Sequence, residues 1–259
     1  MNNEIIGNIK YDNAEIIFKG NNNKFICNNE ITLKDCKIRF TGNNSLIYID
    51  KNDNPISLNM RIGCDSVIYV GKYCYTNRVS NLYATERKNI ILGNQILLSF
   101  DTYFRTADAH VLYDCNTKMR INESKSILVG DKVWIGQQSL ILKGTTIGSG
   151  AIVGGHSVVS NKKIKSNSIY AGNPAKKLRE GAFFYSPKSS HDFNRLDEEN
   201  SMLCKENDCD KYIYTVDENT ISLEKIDNDL LNIKDLNQKI IYIEKNIVNN
   251  NFKNRFYHD

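Results

Sequence analysis

One histidine is the first candidate for chemistry. His110 lies in the run RTADAH, and a neutral imidazole, with an ordinary pKa of about 6.5, can take a proton at neutral pH from a very weak acid such as a hydroxyl. Asp108 lies two residues earlier, so alternation along an extended strand places both side chains on one side, where the carboxylate could orient the imidazole. A backbone carbonyl could orient the ring equally well. The alternative to a catalytic base is a structural histidine.

A six-residue period positions this histidine. From Val129 the chain runs through six consecutive hexads: VGDKVW, IGQQSL, ILKGTT, IGSGAI, VGGHSV and VSNKKI. Their first residues are β-branched, the fifth is small or β-branched in five of them, and the second is glycine in four. A period of six fits neither a helix nor a simple strand. It predicts a solenoid of triangular coils, about 18 residues each, with the aliphatic residue inside and glycine allowing the bend between faces.

The same period is weaker upstream. Val70, Thr76 and Leu82 are spaced by six residues, and so are Leu92, Leu98 and Phe104. The step from Leu82 to Leu92 is longer than six, which predicts a small insertion around residues 86–89. His110 follows Phe104 by six residues, in a position that an inward aliphatic residue would normally take. Residues 111–128 lose the period and predict a loop from one corner. Trp134, the only tryptophan, ends its hexad and is expected at a corner, partly exposed.

The fold class that this pattern predicts is an all-β solenoid with a C-terminal α/β appendage. Residues 1–60 alternate apolar and polar, which indicates irregular early coils or a separate small antiparallel sheet. Residues 61–181 form the repeat domain. Residues 182–259 are an extension with a hairpin, KYIYTVDENTISL, and one helix. Isoleucine recurs every seven residues in that helix, which packs on the solenoid or forms a coiled coil, so that the tail caps an end or a subunit contact; these residues are Ile226, Ile233, Ile240 and Ile247.

Composition narrows the classes of protein. A formal net charge of +4 over 259 residues is too small to indicate nucleic acid as a partner. The opening MNNEIIGNIK has no basic leader and no segment reaches 18 apolar residues, so we expect a soluble, cytoplasmic protein with no membrane span. Seven scattered cysteines without a C-x-x-C predict reduced, structural thiols. The abundant asparagine is expected in turns, at left-handed positions.

With the hexads, His110 and the segment AGNPAKKLR, the chain resembles the hexapeptide acyltransferases from about Ile62 to Gly181. Within that family the run RTADAH, then VGDKVWIG, ILKGTTIG and GNPAK, is most similar to the sialic acid and polysialic acid O-acetyltransferases of bacterial capsules. The resemblance implies a left-handed parallel β-helix and a homotrimer with active sites between subunits. It implies transfer of an acetyl group from acetyl-CoA to a sugar hydroxyl, without a metal.

The same resemblance suggests roles for individual residues. His110 is the general base, assisted by Asp108, and Trp134 lines the cleft against the donor or the acceptor. The backbone N–H near Gly136 is a candidate donor to the oxyanion. The phosphates of acetyl-CoA need amides and cations, and the candidates are Gly155, Ser160, Lys162, Lys176 and Arg179. The chain departs from the family pattern at His156 and by one extra residue in SNKKI, which leaves Lys162 and Lys163 both open as the phosphate contact.

The acceptor is the least determined part. An acidic sugar needs a cation for its carboxylate, and the candidates near the cleft are Arg78, Arg105, Lys118, Arg120 and Lys125. Ser80 and Lys88 stand where galactoside enzymes hold a neutral sugar, which argues against a galactoside. Three other classes stay open: an N-acetyltransferase of an amino-sugar nucleotide, a non-catalytic scaffold, and a zinc enzyme of the carbonic anhydrase kind. The last needs three histidines, whereas only His110 and His156 lie in the repeat.

Overall fold

A computed structural model describes residues 2–186, 194–196, 204 and 209–259. Its regular structure consists almost entirely of short strands, with helices confined to the C-terminal tail. The strands in chain order are β1 (Glu4–Ile6), β2 (Ile9–Asp12), β3 (Glu15–Phe18), β4 (Lys24–Cys27), β5 (Ile31–Lys34), β6 (Lys37–Phe40), β7 (Leu46–Ile49), β8 (Leu58–Ile62), β9 (Val67–Val70), β10 (Tyr75–Thr76), β11 (Ser80–Ala84), β12 (Ile90–Leu92), β13 (Leu97–Leu98), β14 (Tyr103–Arg105), β15 (Ile127–Val129), β16 (Trp134–Ile135), β17 (Leu140–Leu142), β18 (Thr146–Ile147), β19 (Ile152–Val153), β20 (Val158–Val159), β21 (Lys163–Ile164), β22 (Ser168–Ala171) and β23 (Lys176–Glu180). The helices are α1 (Leu223–Asn232) and α2 (Leu236–Ile243), with a 3-10 turn at Cys209–Tyr212 and a π-helical turn at Glu244–Val248.

The strands stack into three parallel sheets, which are the three faces of a triangular coil. Face 1 has the order β1-β4-β7-β9-β12-β15-β18-β21. Face 2 has the order β10-β13-β16-β19-β22-β23, and chain order places the pair β2-β5 at its N-terminal end. Face 3 has the order β3-β6-β8-β11-β14-β17-β20. The chain visits face 1, face 2 and face 3 in turn, so the predicted parallel β-helix is confirmed.

The hexad reading describes the coils from Val129 correctly. All six first residues are fully buried in the prism, as are the fifth residues of the first five hexads; the first residues are Val129, Ile135, Ile141, Ile147, Val153 and Val159. Leu128 pairs with Thr146, a step of 18 residues, as predicted. Upstream the step is longer, since Ile68 pairs with Ile90, 22 residues on. The four extra residues lie at the corner between face 3 and face 1, where the insertion at residues 86–89 was expected.

The glycines at the corners have a different role from the predicted one. Gly136 does not provide the bend. A Cβ there would lie 2.4 Å from the backbone nitrogen of Gly155 in the next coil, so only glycine allows the coils to stack. The left-handed bend falls two residues later, at positions such as Gln138 and His156, with φ of 55° at both. In the N-terminal coils such positions are often asparagine, including Asn22 and Asn44, as expected.

The N-terminal residues are coils of the same solenoid. β4 pairs in parallel with β7, and β6 with β8, which joins residues 4–62 to the sheets of the repeat region. The alternative, a small antiparallel sheet, is not what these strands form. One continuous apolar core therefore extends from Phe25 to Ala175.

The C-terminal tail differs from the single predicted helix. Ile233 adopts an extended conformation, and Asp235 then caps a second helix by accepting from the backbone N–H of Gln238, so the heptad of isoleucines spans two helices and a π-helical turn. The predicted hairpin over residues 211–223 is wrong. The backbone N–H of Ile221 donates to the carbonyl of Arg255 at 2.7 Å. Ile221 thus pairs with the C-terminal segment and not with a second strand of a hairpin.

The tail covers face 1 along its side and does not cap an end of the coil. Five strands of face 1, from β4 to β15, carry apolar outward side chains, and the buried residues of the tail pack on them; the outward set is Ile26, Leu46, Tyr48, Val67, Tyr69, Ile91 and Leu128. Two buried polar links fix the position. Asn89 Nδ2 donates to Asp227 Oδ1 at 2.8 Å, and Arg255 makes two 2.8 Å bonds to the carboxylate of Asp131. The tail therefore packs as helices on the solenoid, one of the two predicted arrangements.

The cysteines follow the prediction in part. Cys27, Cys36 and Cys74 are free and buried. Cys204 and Cys209, in contrast, form a disulfide, which corrects the expectation that all seven thiols are reduced. Their separation of five residues carries no sequence signal such as C-x-x-C.

Candidate active site

The loop between β14 and β15 holds His110 and is fastened by its own hydrogen bonds. It leaves the coil at the corner between face 3 and face 1. Tyr113 and Arg120 form an antiparallel bridge, and the N–H of Ile121 donates to the carbonyl of Leu112 at 3.0 Å. At the tip the carboxylate of Asp114 accepts from two backbone N–H groups. The polar stretch predicted as a loop is therefore an ordered excursion, and only its last two residues belong to β15.

His110 lies outside the prism. β14 ends at Arg105, and the inward position that the six-residue count gave to His110 is taken by Val129, which pairs with Leu92 on face 1. This corrects the predicted location, because the loop leaves the coil before the count reaches the histidine. The side chain is exposed, and within the described part of the chain its ring has no hydrogen-bond partner. The imidazole is thus free to meet a molecule from outside.

Asp108 is held away from the imidazole by two other groups. Its Oδ2 accepts from Lys143 Nζ at 2.6 Å and from Asn122 Nδ2 at 2.9 Å. The bond from Lys143 is the main reason that the pKa of Asp108 is lowered, and Asn122 adds to it. The expected bond between Asp108 and the His110 ring is absent among the described residues. The strand alternation behind that expectation stops at Arg105, so it does not reach Asp108.

Asn122 connects the two residues instead. Its side-chain amide donates to the backbone carbonyl of His110 at 2.8 Å while also donating to Asp108. Its Oδ1 accepts from the backbone N–H of Leu112 at 2.8 Å. Asn122 is 7% exposed, so these bonds are shielded from water. The backbone on both sides of His110 is therefore fixed by one buried amide.

A second link ties the loop to the preceding coil. Arg120 Nη2 lies 2.8 Å from Glu86 Oε2, and Ser124 Oγ lies 2.5 Å from the same oxygen. The bond from Ser124 is the largest cause of the lowered pKa of Glu86. Arg120 therefore holds the loop, and of the cations proposed for an acidic acceptor it is the one already bound to a carboxylate.

Trp134 lies on face 2, immediately after the corner between face 1 and face 2. Its indole is 37% exposed, as the hexad position predicted, and Nε1 lies 3.2 Å from Ser99 Oγ. The ring centroid is 5.8 Å from that of Phe184. Beside it on face 2 is a groove of about 1000 Å³ lined by aromatic and lysine side chains. Lys132 borders this groove, and burial together with the charge of Lys211 lowers the pKa of Lys132 to about 8.

The residues expected to meet acetyl-CoA fall at several places. Gly136 and Gly155 stack one coil apart at the corner between face 2 and face 3. Ser160 and Lys162 follow β20, at the corner that also carries the His110 loop. Lys176 and Arg179 lie on β23, the exposed antiparallel strand at the end of face 2. Lys163 Nζ lies 2.9 Å from Glu224 in the tail, so that ammonium group is already paired.

One copy of the chain does not bring His110 and Trp134 together. The loop leaves the prism at the corner between faces 3 and 1, and in a triangular coil that corner is opposite face 2. His110, Asp108 and Lys162 share the first location, whereas Trp134, Lys176 and Arg179 share face 2. A site that uses both sets needs two copies of the chain.

Residues 126–161 match the family model described as bacterial transferase hexapeptide (six repeats). The chain therefore contains the hexapeptide repeat of that family over these residues. Over 126 residues it is 29% identical to a polysialic acid O-acetyltransferase from Neisseria meningitidis, covering 48% of this chain and 58% of the relative. Over 180 residues it is 30% identical to a polysialic acid O-acetyltransferase from Escherichia coli O1:K1 / APEC, covering 62% and 58%. The hexapeptide-repeat chain thus spans less than two thirds of these curated relatives.

Two solved structures share the fold of this hexapeptide-repeat chain. The polySia-specific acetyltransferase NeuO has a TM-score of 0.63 at 23% identity, covering 77% of this chain and 95% of that one. The polysialic acid O-acetyltransferase OatWY has a TM-score of 0.54 at 22% identity, covering 77% and 96%. These likenesses show the β-helix fold. Of the described helices, none is long and apolar enough to cross a membrane.

Sequence reasoning missed the residues that fasten the hexapeptide-repeat protein's loop. Lys143 is the third residue of the hexad ILKGTT, an outward position with no special signal. Its neighbour Leu142 pairs with Arg105, so the coil after the loop brings Lys143 back beside the loop's start. Asn122 and Glu86 also carried no signal, because the loop partners that they hold lie 10 to 38 residues away. Among the described residues, no group of three or more His, Cys, Asp or Glu side chains is placed to hold a metal ion.

Proposed function

We propose that the protein transfers an acetyl group from acetyl-CoA to a hydroxyl of a sialic acid-containing glycan of the bacterial surface. The observation that carries the proposal is an exposed imidazole, His110, on an ordered loop of a hexapeptide-repeat solenoid. The names of the two relatives, both polysialic acid O-acetyltransferases, support the substrate class. We place the reaction in the cytoplasm, where acetyl-CoA is made.

The chemistry needs one base and one proton relay. A ring nitrogen of His110 takes the proton of the sugar hydroxyl as its oxygen bonds to the carbonyl carbon of the thioester. The negative charge passes to the carbonyl oxygen, for which the backbone N–H near Gly136 is the candidate donor. When the carbon–sulfur bond breaks, the imidazolium returns the proton to the thiolate. The products are the acetyl ester and free CoA, and no metal takes part.

We propose a homotrimer with active sites between neighbouring copies. Opposite placement of the His110 loop and of Trp134 supports this arrangement, because only a second copy can bring face 2 to the loop. Face 1 is covered by the tail, so the contact between copies joins face 2 of one copy to the His110 loop of the next and leaves the outer surface of face 3 open. Trp134 then packs on the donor or the acceptor, and Asp108 acts on His110 through Asn122 and not by direct contact.

The donor contacts follow from which cations remain available. Lys163 is paired with Glu224, which favours Lys162 as the contact to the CoA phosphate. Ser160 lies two residues before Lys162, Gly155 offers a backbone without a side chain, and Lys176 and Arg179 add exposed cations on β23. Charge-assisted bonds of this kind are the strong contacts to phosphate.

The deciding experiment follows thiol release from acetyl-CoA with a panel of acceptors. The panel contains the sialic acid monomer, polysialic acid, a neutral polysaccharide and an amino-sugar nucleotide. We expect release only with the sialylated acceptors, and an acetyl group on the product that mild alkali removes, because esters hydrolyse where amides do not. An alkali-stable product on the amino-sugar nucleotide would establish an N-acetyltransferase. Absence of turnover with every acceptor would favour a non-catalytic scaffold.

A further inference from the structure

Face 3 carries a row of arginines on its outer surface. Arg39 on β6, Arg61 on β8 and Arg105 on β14 occupy the same register position, with Tyr83 on β11 between the last two. We call these three arginines the arginine ladder. Neighbouring strands lie about 4.8 Å apart, so the ladder extends roughly 14 Å along the solenoid axis.

The ladder points to solvent because its neighbours point inward. Ile38 and Phe40 flank Arg39, and Met60 and Ile62 flank Arg61, and all four flanking side chains lie in the core. Arg39 and Arg61 are exposed, whereas Arg105 and Tyr83 are partly covered, with the guanidinium of Arg105 6.0 Å from the centroid of the Tyr83 ring. The alternation of strand residues thus fixes three guanidinium groups on one surface.

Other charged pairs at equivalent positions in these coils are complementary. Glu4 pairs in register with Lys24, Asp12 with Lys34 and Glu15 with Lys37, and each of these pairs forms a salt bridge. Arg39 and Arg61 break this rule, since like charges directly opposite each other are destabilising. An acid at either position would have formed a complementary pair, as Glu15 on β3 does with Lys37 on β6.

Three acids at the corner that follows face 3 are bound to other cations. At the corner that follows face 3, Asp65 lies 3.4 Å from Arg87, Glu86 is held by Arg120, and Asp108 is held by Lys143. Throughout the described ranges, no salt bridge or hydrogen bond occupies the guanidinium groups of the ladder. Three unpaired guanidinium groups in a row present the planar forks that bind carboxylates in two places at once.

We infer that the arginine ladder binds an extended acidic glycan and leads it to His110, so that the acceptor is a polymer with many carboxylates and not a single sugar. The inference rests on the proposed function and names its substrate. The position supports it, since β14 ends at Arg105 and the His110 loop begins there. A polymer with one carboxylate on each sugar can contact several arginines of the ladder at once. A monosaccharide has one carboxylate and contacts only one arginine.

The test measures binding and turnover separately on the full chain. The double variant Arg39→Gln/Arg61→Gln removes two rungs that lie outside the catalytic loop. The matched control, Lys10→Gln/Lys34→Gln, removes the same charge from face 2, where each lysine has an acidic partner. Binding is followed by fluorescence anisotropy of labelled polysialic acid at low salt, and turnover with polysialic acid and with the sialic acid dimer.

We expect the ladder variant to bind polysialic acid about tenfold more weakly, with a higher KM for the polymer and an unchanged KM for the dimer. The control should bind as the wild type does, and Arg39→Lys/Arg61→Lys, which keeps the charge but loses the planar fork, should bind with an affinity between those of the wild type and the ladder variant. Equal loss with polymer and dimer, or no loss with the polymer, would overturn the inference. So would a single-stranded oligonucleotide that competes as well as polysialic acid. If the chain binds the polymer through the ladder but acetylates no sialic acid, the proposed function fails and the ladder does not.

Discussion

Asn122 Nδ2 donates a 2.8 Å hydrogen bond to the backbone carbonyl of His110. Because the same amide also bonds Asp108, which Lys143 holds at 2.6 Å, the candidate base is connected to the following coil by three consecutive polar contacts. The imidazole itself is left free. The loop thus fixes the backbone of the histidine and leaves its ring to a substrate or a neighbouring copy.

Replacing His110 by alanine should lower the rate of acetyl transfer by at least about a hundredfold, the lower range for loss of a general base. The measurement is thiol release from acetyl-CoA, with circular dichroism to show that the coil is intact. His258→Ala is the matched control, because His258 contacts Ser166 through its backbone only. Near-normal turnover of His110→Ala would remove the proposed mechanism.

Asn122→Ala removes the three hydrogen bonds that fix the backbone on either side of His110, each of which contributes about 1 kcal/mol. Because the imidazole is then held less well, kcat should fall by about tenfold. Hydrogen exchange at the amide of Leu112, which donates to Asn122 Oδ1, should become faster. Asn116→Ala at the loop tip is the control, since only the backbone of Asn116 is bonded there. Unchanged exchange at Leu112 would show that Asn122 does not hold the loop.

Alanine at two of the glycine positions should lower the stability of the fold by different amounts. Gly136→Ala should lower stability by about 1–3 kcal/mol, because its Cβ would lie 2.4 Å from the backbone of the next coil. Gly155→Ala should lower the melting temperature much less, because its Cβ would lie 3.3 Å from the flexible side chain and 3.4 Å from the carbonyl oxygen of Gln137. If Gly155 contacts acetyl-CoA, the KM for acetyl-CoA rises roughly tenfold in that variant. An unchanged KM would remove Gly155 from the donor site.

A mixture of two inactive variants tests whether sites are shared. His110→Ala and Trp134→Ala, unfolded together and refolded at equal concentration, should regain about a quarter of the wild-type sites, since one intact histidine and one intact tryptophan then meet at that frequency. Each variant refolded alone should stay inactive. Light scattering should give the mass of a trimer. A mixture no more active than its components would place both residues in one copy.

Glu224→Gln should weaken the attachment of the tail at neutral pH only. Burial alone raises the pKa of Glu224, but bonds from Lys163, from its own backbone and from Ser222 outweigh it and bring the pKa to about 2. A depressed pKa stabilises the fold above the ordinary value of 4.5 and loses that effect as the pH falls towards 2. We expect a loss of about 1 kcal/mol at pH 7, since the pair is partly screened by water.

Urea unfolding at several pH values checks this prediction. The difference between Glu224→Gln and the wild type should shrink between pH 4.5 and pH 2. Glu218→Gln, an exposed residue in the turn before α1, is the control and should show no such dependence. A constant difference across this range would mean that Lys163 does not stabilise the carboxylate.

The sequence was sufficient for the solenoid because a period of six has few physical solutions. Val129 and its five equivalents had to share one environment, and they do. It was not sufficient for the location of His110, since counting by six assumes that the chain stays in the coil, and the loop leaves after Arg105. The long-range partners of Asp108 and His110 were also out of reach, because contacts between Lys143 and a loop depend on how many residues each coil contains.

The tail was predicted by its isoleucines but not by its shape. Ile233 fits the heptad, yet Asp235 two residues later is a good N-cap and starts a second helix. The buried pair of Arg255 and Asp131 left no periodic signal, because neither residue belongs to a repeat. Patterns of apolar residues thus indicated what is buried, whereas single polar residues decided where segments end and how they attach.

Because the tail covers the apolar outer surface of face 1, a stable fragment of this protein must include it. A chain that stopped before Leu223 would keep every residue proposed for chemistry, yet it would expose the outward apolar side chains of five adjacent strands to water. Such a truncated chain would aggregate or be degraded before the proposed activity could be measured. A stop codon there would therefore abolish the proposed activity as completely as loss of His110.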